Sequence, residues 1–129
     1  MPTDPAPSDP AAIVRKCFQA YVEDDRALAE SVIAQDFRFT SPLDNRIDRE
    51  SYFARCWANH EWIIGFELVH LIADGETVVA TYVGRSKRDK PFRNTEIFTV
   101  RDGKIVDVEV YFGWSLPHQA EEGGFVEQA

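Results

Sequence analysis

Basic residues are scarce in this chain: 14 Lys and Arg stand against 22 Asp and Glu, a net charge of -8 with neutral His. A groove for nucleic-acid phosphates draws on clustered cations, so nucleic acid is excluded as a partner. Part of the acidity belongs to the ends, where Asp4, Asp9, Glu121, Glu122 and Glu127 have no Lys or Arg before residue 11 or after residue 116. That charge serves solubility. Only Arg85, Lys87, Arg88, Lys90 and Arg93 make a locally basic run.

Cysteine is nearly absent. Cys17 and Cys56 fall on expected helices, fit free thiols in a reducing compartment, and imply no disulfide. The three histidines, His60, His70 and His118, include no i,i+4 pair and have no Cys-x-x-Cys companion, so no metal site is expected. There is no Gly-rich phosphate loop, and no cofactor is expected either. The opening MPTDPAPSDP has neither a basic segment nor an apolar run, and no stretch is long and apolar enough to span a bilayer. The expectation is a cytoplasmic protein without a membrane partner.

What is present suffices for one domain: 129 residues, 44% hydrophobic and 12% aromatic, enough for one substantial core. Four prolines in the first ten residues predict an extended or disordered arm over 1–10, ending where Asp9 and Pro10 supply a cap and a first turn. Val14, Cys17, Phe18 and Tyr21 recur at helical spacing over 11–23. A second short helix starts at Asp25 and pairs Leu28 with Val32 and Ala29 with Ile33. Phe37, Phe39 and Ser41 alternate as a short strand stopped by Pro42. The turn-rich SPLDNRID follows, and Asp48 caps a third helix pairing Tyr52 with Cys56 and Phe53 with Trp57.

From Trp62 to Phe112 the chain reads as strand, broken at Asp74-Gly75, at the charged loop 87–91 and at Asp102-Gly103, which predicts a meander of four antiparallel strands. In the last of these, Val106, Val108, Val110 and Phe112 share a dry face, opposite Asp107, Glu109 and Tyr111. The domain is expected over 11–115, followed by a flexible acidic tail over 116–129. The class is α+β: three helices packed on a curved, mainly antiparallel sheet, a cone-shaped barrel whose concave mouth suits a small ligand.

The helix-helix-strand opening, the FRFTSPLDNRID segment and the closing NTEIFTVRDGKIVDVEVYFGW resemble the nuclear transport factor two superfamily and, within it, the SnoaL-like and ketosteroid-isomerase-like group. The resemblance covers roughly Ile13 to Trp114. It implies the cone fold but no single reaction, because the fold hosts isomerases, cyclases, hydrolases, dehydratases and proteins without chemistry. Laid on ketosteroid isomerases, the helix-one tyrosine falls at Cys17, the base aspartate at Ser41, and the oxyanion-hole acid at Glu96 ahead of Phe98. Steroid isomerisation is not implied. Val110 likewise replaces the last-strand aspartate of limonene-epoxide-hydrolase-like members.

Glu96 is the leading candidate for chemistry, because Asn94, Glu96, Phe98 and Val100 alternate onto the helix-facing side. Burial there favours a neutral carboxyl able to donate a hydrogen bond or move a proton. The other open reading is a structural ion pair with Arg85 or Arg93. His70 is a second candidate, as a general base, because histidine is the side-chain type that exchanges a proton near neutral pH. Asn94 is a polar ligand contact or a strand-end bond, and Ser41 with Asp44 a site or a turn. Tyr21, Phe39, Tyr52, Trp57, Phe98, Val108 and Val110 are expected to line the pocket for a small apolar organic molecule. Aromatics at such spacing also build closed cores. Thr95, Ile97, Glu109 and Tyr111 on the outer sheet face suit a homodimer contact. The function expected is ligand binding in the cone, with cofactor-independent proton transfer of isomerase, cyclase or dehydratase type. The alternative is a non-catalytic dimeric structural or protein-interaction module.

Overall fold

The computed structural model describes residues 9–127; most of the expected N-terminal arm lies outside them. Helix α1 (Pro10–Glu23) begins on a proline whose missing N–H costs nothing in a first turn. Asp9 contributes its carbonyl rather than its side chain, accepting from the Ile13 N–H at 3.0 Å. The helix buries Ile13, Val14, Cys17 and Ala20 and stops at Asp24, in a left-handed conformation at φ 56. Helix α2 (Arg26–Val32) is capped by the Asp25 carboxylate, which accepts from Leu28 N–H at 3.0 Å. Helix α3 (Arg49–Arg55) is capped in the same way by Asp48, from Ser51 N–H at 2.9 Å.

Strand β1 (Ile33–Ser41) starts earlier than its alternation suggests: Ile33, expected to end α2, is already extended at φ -108, ψ 124. The stretch expected as a turn holds a further strand, β2 (Asp44–Asp48), antiparallel to β1 with Phe39 opposite Ile47. Helix α3 is shorter than expected. Cys56 caps its end, and Trp57 belongs to a following 3-10 turn (Trp57–Glu61).

The meander is present as β3 (Ile63–Asp74), β4 (Thr77–Ser86), β5 (Phe92–Arg101) and β6 (Lys104–Ser115). The six strands form one sheet in the order β2-β1-β6-β5-β4-β3. Among the described residues only the β1–β6 pair is parallel. The sheet has two edges, β2 and β3, and is not closed into a barrel.

A register shift in the β5–β6 pairing lies between Thr99 and Val100, which face Asp107 and Ile105. The extra residue changes which side chain faces the helices. Ile105 is fully buried and Val106 is not, which corrects the uninterrupted dry face expected from Val106 to Phe112. Ile105 packs into a core with Val14, Phe37, Val78 and Val100, all at most 2% exposed. Burying Phe37 alone contributes about 1.5–3 kcal/mol.

Candidate functional site

Next to this packed core the inner face of the sheet stands away from α1 and α3 and leaves a cavity of about 220 Å³. Alternation on β5 aims Asn94, Glu96 and Phe98 into it, and β6 adds Val108, Val110 and Phe112. Helix α1 contributes Cys17, Phe18 and Tyr21; β1 contributes Phe37, Phe39 and Ser41; Tyr52 comes from α3 and Tyr82 from β4. Exposure grades along the cavity. Ile33, Phe37 and Ile105 seal one end at 2%, 1% and 0%, while Phe112 at 53% and the exposed Asn59 mark the mouth.

The polar groups form a directed chain. Asn94 Nδ2 donates to the Tyr82 hydroxyl at 3.5 Å, and that hydroxyl donates to Glu96 Oε2 at 2.5 Å. Asn94 Oδ1 accepts the Gly113 N–H at 3.2 Å. Cross-strand register builds the chain, since Tyr82 stands opposite Asn94 on neighbouring strands. Glu96 Oε1 has no hydrogen-bond partner among the described residues and is not sealed from solvent, so it opens on the cavity. Glu96 is half-buried by area for the same reason, while the protein around it still desolvates the carboxyl. Burial raises its pKa from 4.5 to about 7, against the opposing effect of the Tyr82 hydrogen bond. Burial, and then the neighbouring Glu96, raises Tyr82 far above a normal phenol.

Among the described residues no cation offsets this carboxyl. Arg85 pairs with Glu67 at 3.7 Å and Arg93 lies over the Trp114 ring at 5.5 Å, so the ion-pair reading of Glu96 is overturned. The lining contains no Lys, Arg or His.

Tyr21 and Tyr52 share a short hydroxyl–hydroxyl hydrogen bond, and burial raises both phenols well above their ordinary range. Since each hydroxyl carries one hydrogen, the pair retains one donor beyond its mutual bond. Burial also pushes the Cys17 thiol up to about 12 and Cys56 to about 11, which keeps both protonated and poor as nucleophiles. Among the described residues no group of three His, Cys, Asp or Glu side chains could hold a metal ion.

Tyr21, Phe39, Ser41, Tyr52, Asn94, Glu96, Phe98, Val108 and Val110, all expected from sequence, meet around the cavity. Trp57 does not line it. Its ring is buried behind Tyr21 at 4.9 Å and stacks on His60 at 4.6 Å. His70 is exposed on β3 and stands in register with Thr81, Thr95 and Tyr111 on the outer face, across the sheet from Glu96. Ser41 donates to Asp44 at 2.8 Å and accepts from Leu43 N–H at 3.0 Å, so its turn role is present alongside its place in the wall. Sequence reasoning passed over Tyr82. Only its register opposite Asn94, next along the inner face from the Ala80–Glu96 pair, distinguishes it from the other residues of VVATYV.

The SnoaL-like domain model matches residues 14–108. The chain belongs to the SnoaL-like family. Solved structures share the fold at low identity. An NTF2-like protein of unknown function from Cytophaga hutchinsonii has a TM-score of 0.68 at 20% identity, covering 88% of this chain and 95% of that one. A candidate ketosteroid isomerase from Kribbella flavida has a TM-score of 0.70 at 19% identity, covering 92% and 88%. An epoxide hydrolase of limonene-epoxide-hydrolase-like type from M. tuberculosis has a TM-score of 0.64 at 21% identity, covering 80% and 81%. No curated protein matches the sequence. Among the described residues no helix is long and apolar enough to cross a membrane.

Proposed function

We propose that this SnoaL-like protein is a cytoplasmic homodimer that binds a small, largely apolar organic molecule in its cavity and carries out cofactor-independent proton transfer on it. The observation that carries this reading is Glu96, a carboxyl in an open aromatic cavity with no cation beside it and with one oxygen facing the ligand space. A carboxyl whose pKa is lifted to about 7 divides evenly between acid and base near neutrality, the condition for taking a proton from a ligand and returning it elsewhere. As a base, Glu96 takes a proton from a carbon beside a carbonyl, and negative charge collects on the carbonyl oxygen. The spare hydroxyl hydrogen of the Tyr21–Tyr52 pair supplies a donor for that oxygen. The same carboxyl then returns the proton.

The test needs no knowledge of the natural substrate. Apolar ketones such as 2-tetralone are incubated with the protein in deuterium oxide, and exchange at the carbon beside the carbonyl is followed by NMR. Wild type accelerates exchange, and Glu96→Gln is slower by about 100-fold or more, the size of a general-base contribution. Equal exchange in both overturns the proposal, and binding without exchange favours the non-catalytic module.

The homodimer is supported by the outer face, where Ile72, Val79 and Ile97 form one cross-strand row, with Tyr111 in the next row at 54% exposure. Such a row suits a second copy of itself. Sedimentation should give a dimer mass that Ile97→Lys halves; a wild-type monomer at all concentrations contradicts it.

A further inference from the structure

The cavity interior and its mouth have opposite electrostatic character. Inside, among the described residues, the only ionisable carboxyl is Glu96 and no lining residue is cationic, so an anionic group placed deep would face a carboxyl with nothing to offset it. Around the mouth the sequence places five cations against one acid, Asp89, between residues 85 and 93, in a protein that is otherwise strongly acidic. This stretch is the β4–β5 connection with its flanking strand ends.

Its position at the mouth follows from contacts. Lys87 N–H bonds the Trp62 carbonyl at 2.8 Å, next to the lining residue Ile63, and the Arg88 guanidinium lies 4.2 Å over the Trp62 ring. On the other side the Arg93 guanidinium lies over the Trp114 ring. Trp114 borders an outer recess that shares Phe92, Asn94 and Phe112 with the cavity itself. Neither Arg88 nor Arg93 is paired with a carboxylate among the described residues, whereas Arg85 is. A guanidinium held over an indole face can keep N–H donors free for an anion and loses side-chain freedom before any ligand arrives.

We infer that the ligand of this cavity is amphipathic: an apolar body inside, and a single terminal anionic group, carboxylate or phosphate, held at the mouth by Arg88 and Arg93. The assignment rests on the cavity being a ligand site. Glu96 orients the ligand by excluding the anion from the interior, and the arginines hold the anion at the mouth.

Calorimetric titration of four probes with one apolar body tests this: 4-phenylbutanoate, 4-phenylbutyl phosphate, 4-phenyl-1-butanol and 4-phenylbutylamine, each at low and high salt. The carboxylate or the phosphate should bind about fivefold or more tighter than the alcohol at low salt, as two partly desolvated charge-assisted contacts allow. The amine should bind most weakly of the four at the mouth's potential. High salt should erase most of the difference. The double variant Arg88→Gln, Arg93→Gln should remove the preference while leaving the alcohol within about twofold, since the substitutions lie outside the apolar interior. Which anion binds tighter distinguishes a carboxylate ligand from a phosphate one. Alcohol binding equal to that of both anions, or a preference that survives the double variant, overturns the inference and leaves the cavity reading intact. Failure of all four probes to bind would overturn both, because the apolar body would then find no site.

Discussion

The β5–β6 ladder, interrupted by a register shift between Thr99 and Val100, has opposite contents on its inner face at its two ends. At one end Val100 and Phe98 pair with Ile105 and Val108, all between 0% and 4% exposed, against Val14 and Phe37. At the other end Glu96 and Asn94 pair with Val110 and Phe112, and the same face opens into empty volume. The first end is dispersion and burial with no polar atom to satisfy. The second holds polar side chains that bond mainly to one another through Tyr82, with one carboxyl oxygen left over. Stability and chemistry are therefore separated along two strands, and the cavity tolerates its carboxyl because the sealed end carries the core.

The largest expected effect compares two phenylalanines. Phe37→Ala at the sealed end should cost about 3–5 kcal/mol, as a cavity in a close-packed core does, whereas Phe92→Ala at the half-buried mouth should cost about 1 kcal/mol. Urea denaturation measures both, and equal costs would erase the distinction between the ends.

The next effect is pH dependence. Glu96 is lifted from 4.5 to about 7 in the folded protein, so the folded state binds more protons than the unfolded state in that window. Its contribution is full below about pH 4.5 and is lost as pH rises through about 7. Unfolding experiments should show on the order of 2–3 kcal/mol disappearing across the window in wild type and much less in Glu96→Gln.

Tyr82→Phe removes the hydrogen bond that holds Glu96 down. The Glu96 pKa should move above about 7, at a stability cost of about 1 kcal/mol, read by titration and by urea. The smallest effect belongs to Asn94→Ala, about 0.5–1 kcal/mol, since water at the mouth can replace its bond to Gly113. A larger loss there would mean that the mouth is packed like the sealed end.

Much of this was legible in the sequence because local rules dominate it. Asp25 and Asp48 cap the helices they precede, the three Gly-marked or charged breaks fall between strands as expected, and the period-two run through Asn94, Glu96 and Phe98 aims inward. What was missed depends on long-range pairing. Strand β2, DNRID, has the composition of a turn and is a strand only because β1 lies beside it. The β5–β6 bulge that substitutes Ile105 for Val106 leaves no mark in the residue types. Tyr82 and His70 both sit on strands of high β density. Register alone places Tyr82 beside Glu96 and His70 on the outer face.

The most direct test of the central claim is a carbon-13 NMR titration of the glutamate side-chain carboxyls, with Glu96 assigned by its loss in Glu96→Gln. A signal with a midpoint near 7 is the predicted result, that of a desolvated carboxyl able to exchange protons with a ligand at neutral pH. A midpoint at the ordinary glutamate value of 4.5 would contradict it, leaving an ionised, solvated side chain and a cavity without its proton carrier.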